Sequence, residues 1–272
     1  MRSMMQSNYV TANGVRLHYW RTGSSKPVVL LLHGLTDNGA CWTPVIEALR
    51  DTYECIAPDA RGHGLSDAPE HGYSPQHHAT DEAALIEALN LDKPIVIGHS
   101  MGGATATALA AQYPKLVRAV IAEDPAWFDA TQRPTETRGP MAEGWRTNMR
   151  EKKTQTAEEL ITAERLRNPR WSDGELKPWV TAQHQVREQV LEYVEEPPQD
   201  WRGQVQAIQC PILLLTGDVA RGVVINPAQA SDAQTLAKDL RIANIAEAGH
   251  CIRRDNFAGF MTAVQAFLST LH

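Results

Sequence analysis

The sequence predicts an α/β fold with a doubly wound, mostly parallel sheet that is interrupted by a helical segment. Two observations lead to this prediction. Short apolar runs alternate with helical stretches from residue 15 to 122, and the same alternation returns after residue 210. Between about 125 and 205, charged helical stretches replace the strands. Strands alternating with helices are typical of βαβ units, whose parallel strands are covered on both faces by helices.

Strands are predicted where short apolar runs are bounded by turn residues. The run PVVLLL at 27–32 is apolar throughout, as expected of a strand that is covered on both faces. The predicted strands are 15–20, 27–32, 53–57, 94–97, 117–122, 211–216 and 240–245. The predicted helices are 42–50, 77–89, 101–113, 154–167, 181–193, 227–238 and 256–271. This organisation gives an α/β core at 1–124 and 206–272. We call 125–205 the helical insertion and expect it to form a lid.

Composition and charge exclude several classes of protein. The 272 residues include 26 Lys and Arg against 32 Asp and Glu, a net charge of −6, which argues against nucleic acid or an anionic membrane as partner. Residues 1–9 lack the apolar run of a signal peptide, and no apolar run is long enough to span a membrane. With no export signal, we expect a cytoplasmic protein with reduced thiols, and because the four cysteines lack metal-ligand spacing we expect no metal.

Tryptophan is unusually common, with seven Trp against six Tyr and four Phe. Five of the seven lie in the helical insertion: Trp127, Trp145, Trp171, Trp179 and Trp201. We expect most of them to fix helices in place and one or two to line an apolar pocket. Trp127 is the candidate for the pocket mouth, because it follows the end of a predicted strand closely.

The strongest chemical motif is Gly98-His99-Ser100-Met101-Gly102, a G-x-S-x-G between a predicted strand and a predicted helix. This context is what a nucleophile elbow requires, because a sharp strand-to-helix turn tolerates only small neighbours and presents the serine at a helix N-terminus. We therefore predict Ser100 as a nucleophile.

A serine nucleophile needs a base and an oxyanion hole. His250 is the candidate base, since it follows the last predicted strand, whereas His184 and His272 are expected to be solvated. The N–H of Met101 is one predicted oxyanion donor. The N–H of Leu35 is the other, because Gly34 allows the backbone to approach the substrate.

These pieces together resemble the α/β-hydrolase superfamily over essentially the whole chain. They are His33-Gly34, the run 59–66, the Ser100 elbow and the Gly249-His250 turn. The resemblance implies that the turn at 59–66 is structural, with Arg61 and His63 as part of the scaffold. We predict a substrate-binding site that includes Gly34, His99 and Trp127.

The resemblance leaves two places in the fold, and three residues, as candidates for the acid that orients His250. Many relatives place it three residues after a glycine in the loop that follows the strand at 211–216, but here that position is Ala220. Asp218 lies two residues earlier. Other relatives take the acid from the end of the preceding core strand, where this chain has Glu123 and Asp124. We predict Asp124, with Asp218 as the alternative and Glu123 third.

The predicted function is a cofactor-free serine hydrolase that cleaves a carboxylic ester or lactone, acyl-homoserine lactones included, through an acyl-enzyme. The expected partner is a small ester or lactone with an apolar acyl part, while the oligomeric state is left open. Ser100 argues against haloalkane dehalogenases and epoxide hydrolases, which use Asp as nucleophile. The first alternative is a carbon–carbon hydrolase of ring-cleavage products, although those enzymes tend to have Asn where this chain has His99. The second is a non-catalytic ligand receptor on the same scaffold.

Overall fold

The computed structural model describes residues 5–23 and 25–271. Residues 1–4, Ser24 and His272 lie outside the described part. The expectation that His272 is solvated therefore lies wholly outside it, and the expectation about residues 1–9 lies partly outside it. The described residues contain eight strands in one sheet. They are β1 (Gln6–Ala12), β2 (Val15–Arg21), β3 (Val28–Leu32), β4 (Glu54–Pro58), β5 (Ile95–His99), β6 (Ala119–Glu123), β7 (Ile212–Thr216) and β8 (Leu240–Asn244).

The sheet has the order β1-β2-β4-β3-β5-β6-β7-β8. Strand β2 pairs antiparallel with β1 and β4, and the remaining pairs are parallel. The predicted fold class, a mostly parallel α/β sheet, is therefore confirmed. Strand β1 was not predicted, because its residues are largely polar and it lies at the edge of the sheet, where one side is solvated.

The helices divide between the two faces of the sheet and the helical insertion. They are α1 (Thr43–Leu49), α2 (Pro75–Ala88), α3 (Met101–Gln112), α4 (Thr135–Thr154), α5 (Ala157–Arg167), α6 (Asp173–Gln185), α7 (Glu192–Glu195), α8 (Trp201–Ala207), α9 (Pro227–Leu236), α10 (Ile252–Asp255) and α11 (Phe257–Leu268). Helices α2, α3 and α9 contribute to an apolar cluster on one face, and α1 and α11 contribute to a second cluster on the other. None of the helices in the described ranges has the length and apolar character needed to cross a membrane.

Between β6 and β7 the chain forms α4 to α8. Helix α4 was not predicted, because Gly139, Pro140 and Gly144 interrupt its sequence. The continuous helix predicted at 181–193 is instead split, with α6 ending at Gln185 and α7 beginning at Glu192. Helix α8 extends two residues beyond 205 and packs on α3 of the core, so the expected boundary falls within a helix.

The turn at 59–66 is held together by buried polar contacts. Asp59 accepts hydrogen bonds from the backbone N–H groups of Gly39 and Leu65, at 2.7 and 2.8 Å. Arg61 forms a buried ion pair with Asp81 on α2. Within the described chain, neither Arg61 nor the buried His63 lines the cavity beside Ser100, in line with the scaffold role expected for them.

Candidate active site

Ser100 occupies the sharp turn between β5 and α3, with φ 53° and ψ −113°. A non-glycine residue with positive φ is strained, and such strain persists only where the surroundings enforce it. Here the enforcement is steric. A Cβ atom on Gly102 would lie 2.1 Å from the carbonyl oxygen of Leu32, and one on Gly98 would lie 2.2 Å from the carbonyl oxygen of Gly102. The two glycines of the motif are therefore required by close backbone packing.

Ser100, His250 and Asp124 form one hydrogen-bonded chain at the carboxyl edge of the sheet. The Oγ of Ser100 lies 3.0 Å from Nε2 of His250, and Nδ1 of His250 lies 2.6 Å from Oδ2 of Asp124. Asp124 is fully buried, and its carboxylate also accepts the N–H groups of Val224 at 2.8 Å and Ile225 at 2.9 Å. A carboxylate held in this way can fix the imidazole in the tautomer that accepts a proton from serine.

The alternative acid, Asp218, lies elsewhere. Its carboxylate accepts the backbone N–H of Glu247 at 2.8 Å and lies 3.8 Å from Arg221, and its side chain is 40% exposed. Among the described contacts of Asp218 there is none with His250. The structure therefore brings Asp124 rather than Asp218 to the imidazole, because β6 ends directly beside the Ser100 turn. Glu123 is buried against Arg253 instead, as its alternation along β6 requires.

Two backbone N–H groups are available near Ser100. Leu35 and Met101 both line the cavity that contains Ser100, and neither N–H donates to an acceptor within residues 5–23 and 25–271. Met101 opens helix α3, where N–H groups have no partner inside the helix. The pair has the character of an oxyanion hole, since both residues line the cavity beside Ser100 and neither N–H has an acceptor among the described residues.

The loop that carries Leu35 is held by His33 and packs closely against His99. Nδ1 of His33 donates to the carbonyl of Gly34 at 2.8 Å, and Nε2 accepts the N–H of Ala60 at 3.0 Å. Burial lowers the pKa of His33, which keeps this ring neutral. A Cβ on Gly34 would lie 2.7 Å from Nδ1 of His99, so glycine is needed here for close approach.

His99, predicted to bind substrate, is a buried residue of the cavity wall. Its Nε2 donates to the carbonyl of His250 at 3.0 Å, so it also positions the backbone of the candidate base. Burial and the nearby Arg253 lower the pKa of His99 well below its usual value. The ring is therefore neutral, and its Nδ1 has no hydrogen-bond partner among the described residues.

The cavity above Ser100 has a volume of about 640 Å³, a size suited to a small molecule. Loops of the core form its floor and helices of the insertion form its roof. Its apolar and aromatic walls include Phe128, Met141, Trp145, Trp171, Trp179 and Val194. Three of the tryptophans of the helical insertion thus line the cavity.

Trp127 is not one of them, and the expectation that it lies at the pocket mouth is wrong. The residue is almost completely buried in the core on the α3 side of the sheet. Its ring stacks on Trp201 with centroids 5.1 Å apart, and its Nε1 donates to Oγ1 of Thr107. Its neighbours Ala126 and Phe128 line the cavity, whereas the side chain of Trp127 between them packs into the core cluster that includes α3.

The cavity is more charged than the expected apolar slot. Its lining includes two acidic side chains and twice as many basic ones. The acidic residues are Asp37 and Glu164, and the basic residues are Arg133, Lys152, Arg167 and Arg254. Sequence reasoning missed these residues, because isolated charges in a charged helical segment give no signal of where they point. No group of three or more potential metal-ligating side chains occurs in the described ranges.

Arg254 and its neighbour Arg253 belong to a buried ionic network beneath His250. Asp37 accepts from Arg254 at 3.0 Å and from Arg253 at 3.3 Å. Burial alone would raise the pKa of Asp37, but the two guanidinium groups outweigh it and hold that pKa below its usual value. Arg254 also contacts Glu175 of α6 at 3.1 Å. The network thus ties the helical insertion to the loop that carries the candidate base.

The sequence also matches a known protein family over most of its length. Residues 27–218, more than half of the chain, match the family described as alpha/beta hydrolase fold. The chain therefore belongs to the α/β-hydrolase family, and the predicted resemblance is confirmed.

One relative matches over its full length. The N-formylmaleamate deformylase of Pseudomonas putida is 29% identical, with 98% of each chain covered. A solved structure of the N-formylmaleamic acid deformylase of Pseudomonas putida S16 gives a TM-score of 0.82 at 26% identity, over 96% of this chain and 100% of that one. A thermophilic esterase from Thermogutta terrifontis, solved with malate bound, gives a TM-score of 0.78 at 25% identity, over 98% and 99%.

A further relative matches over part of its length. The 2-(acetamidomethylene)succinate hydrolase of Mesorhizobium japonicum is 45% identical over 104 residues, which are 38% of this chain and 37% of that protein. Here the match spans about a third of the relative. Together, the family and these relatives identify the chain as a hydrolase. They do not single out a carboxylic ester as the bond that it cleaves.

Proposed function

We propose that this protein is a serine hydrolase that removes an acyl group from nitrogen in a small N-acyl compound. The observation that carries the proposal is the hydrogen-bonded chain from Ser100 through His250 to Asp124, with distances of 3.0 and 2.6 Å. Such a chain serves attack on a carbonyl carbon, and Ser100 excludes the carboxylate nucleophile of an epoxide hydrolase.

The proposed reaction has two steps. Ser100 Oγ attacks the acyl carbonyl while His250 Nε2 takes its proton, and the N–H groups of Leu35 and Met101 stabilise the oxyanion. The C–N bond then breaks, and His250 returns the proton to the leaving nitrogen. Water, deprotonated by His250, hydrolyses the acyl-Ser100 ester and releases the carboxylic acid. Asp124 holds the imidazole and stabilises its charged form throughout.

An N-acyl substrate has more support than the carboxylic ester or lactone predicted from the sequence. The full-length relative is named as a deformylase, and a second relative as a hydrolase of an acetamido compound. The alternative from the sequence, a carbon–carbon hydrolase, is also better supported than ester cleavage. It uses the same attack by Ser100 but protonates a carbon leaving group, so the two candidates share every residue proposed above.

The test is a substrate panel with the Ser100→Ala variant as the blank. The panel contains N-formyl and N-acetyl derivatives of small amino acids and amides, a p-nitrophenyl ester, an acyl-homoserine lactone and a ring-cleavage diketone. We expect turnover of at least one N-acyl compound, followed by the release of formate or acetate. If the ester or lactone has a higher specificity constant than every N-acyl compound, the proposed cleavage of a C–N bond is overturned. If the diketone has the highest specificity constant, the result selects carbon–carbon cleavage.

A fluorophosphonate probe separates enzyme from receptor, because it labels an activated serine whatever the natural substrate. We expect rapid labelling of wild-type protein and none of Ser100→Ala. Labelling without turnover of any compound on the panel would favour the ligand-receptor alternative.

A further inference from the structure

Arg133 is a buried guanidinium group that has no anionic partner among the residues that the structure describes. The residue lines the cavity that contains Ser100, and it is 7% exposed. Its Nη2 donates to the backbone carbonyls of Tyr193 and Val194 on α7. Its Nε and Nη1 have no hydrogen-bond partner in the described part of the chain, and no carboxylate lies within ion-pair distance there.

The neighbours of Arg133 increase this imbalance. The nearby Arg138 is a second cation, whose own hydrogen bonds go to Thr135 and to the carbonyl of Glu195. Asp129, four residues before Arg133, is paired with Arg202. A buried cation without an anion is costly, and a structure retains one where a bound anion supplies the missing partner.

The other basic groups of the cavity are either paired with a carboxylate or less buried than Arg133, which itself lies over the ring of Phe128. Arg254 is fully paired with Asp37 and Glu175, and Arg167 lies 3.7 Å from Glu164 at the exposed rim. Lys152 donates to Gln183 at 2.9 Å and lies over the ring of Trp179, without a carboxylate within ion-pair distance among the described residues. Arg133 is therefore the buried group best placed to receive an anion, and Lys152 adds positive charge to the same cavity.

We propose that Arg133 binds a carboxylate of the substrate, so that the molecule cleaved at Ser100 is a small carboxylic acid carrying the scissile acyl group. This inference rests on the proposed function for the scissile bond and on the cavity for the carboxylate. Guanidinium groups donate charge-assisted hydrogen bonds to carboxylates, and the Nε and Nη1 of Arg133, which lie on different edges of the group, can each donate one such bond. The apolar walls then hold the part of the substrate between the carboxylate and the carbonyl.

The experiment measures binding rather than catalysis, so it is independent of which bond is cleaved. Succinate, as a simple dicarboxylate, is titrated by calorimetry into Ser100→Ala and into the double variants Ser100→Ala/Arg133→Gln and Ser100→Ala/Arg133→Lys. We expect Arg133→Gln to raise the dissociation constant about 10- to 100-fold, as the loss of charge-assisted hydrogen bonds implies. Arg133→Lys keeps the charge but not the fixed donor directions of the guanidinium group and should give an intermediate value.

Arg138→Gln in the same background is the matched control, because Arg138 contacts the same segment but does not line the cavity. It should leave succinate binding unchanged, and neutral succinamide should bind all variants alike. The proposal is overturned if succinate binds Arg133→Gln as tightly as the parent, or if it does not bind the parent at all. If succinate binds through Arg133 while no N-acyl compound is turned over, the proposed function fails and the carboxylate site stands.

Discussion

Replacing Asp124 by Asn tests the proposed catalytic chain most directly. The change keeps the shape of the side chain, and Asn tolerates the positive φ of 36° at this position. It cannot keep the hydrogen bonds. An amide nitrogen in place of Oδ1 would face the N–H of Ile225, and one in place of Oδ2 would face the N–H of Val224. In the second case the amide would also donate to Nδ1 of His250, which reverses the tautomer.

The reversed tautomer carries its proton on Nε2, so His250 can no longer accept the proton of Ser100. Even with the correct tautomer, the charge that stabilises the imidazolium is lost. Loss of the acid in serine hydrolase triads costs about 10⁴ in kcat, or about 5.5 kcal/mol in the barrier. One unsatisfied buried N–H should also lower the free energy of unfolding by about 1–3 kcal/mol.

The assay is the second-order rate of fluorophosphonate labelling of Ser100, which requires the activated serine but not the natural substrate. We expect Asp124→Asn to label about 10⁴-fold more slowly than wild type. Asp218→Asn, on the exposed loop, should label within about twofold of wild type. Labelling of Asp124→Asn within tenfold of wild type, or an equal loss in Asp218→Asn, would refute the assignment of the acid.

Two further predictions concern stability. Gly102→Ala places a Cβ 2.1 Å from the carbonyl oxygen of Leu32 and should lower the free energy of unfolding by about 3 kcal/mol or more. Gly144→Ala has open space around the new Cβ and should raise the free energy of unfolding by about 0.5–1 kcal/mol, because alanine favours helix α4 more than glycine does. Urea unfolding measures both variants, and equal effects would contradict the steric argument. Burial lowers the pKa of His63 from 6.5 to about 3, and its Nδ1 donates to the carbonyl of Arg61. Between pH 7 and 5 the unfolded chain gains a proton that folded His63 does not, so stability falls by about 2 kcal/mol from this residue alone. His63→Asn keeps a hydrogen-bond donor but does not titrate, so its free energy of unfolding should fall by about 2 kcal/mol less than that of wild type between pH 7 and 5. Identical pH profiles of stability for the variant and wild type would contradict this.

Much of the fold could be predicted because parallel strands are buried on both faces. Each of the predicted core strands, such as 27–32, is therefore a short apolar run that stands out from amphipathic helices. Strand β1 and helix α4 could not be predicted in the same way. The former is polar because it lies at an edge, and the latter contains Pro140 and two glycines and buries few side chains.

The sequence by itself determined the nucleophile motif, since a G-x-S-x-G between a strand and a helix depends on local sterics that the neighbouring residues reveal. It also limited the acid to three carboxylates at strand ends, Asp124, Asp218 and Glu123, in that order of preference. Tertiary structure decided between them, because only packing shows that the end of β6 lies beside the Ser100 turn while Asp218 turns to Glu247.

Tertiary structure likewise decided the character of the cavity. Five tryptophans in the helical insertion suggested an apolar slot, but the orientation of a side chain on a helix depends on how that helix packs. Packing buries Trp127 against Trp201 and turns Arg133 inward, where none of the described carboxylates pairs with it. A buried charge is paired or unpaired according to residues far away in the sequence, which is why the carboxylate site proposed here becomes apparent only in the folded chain.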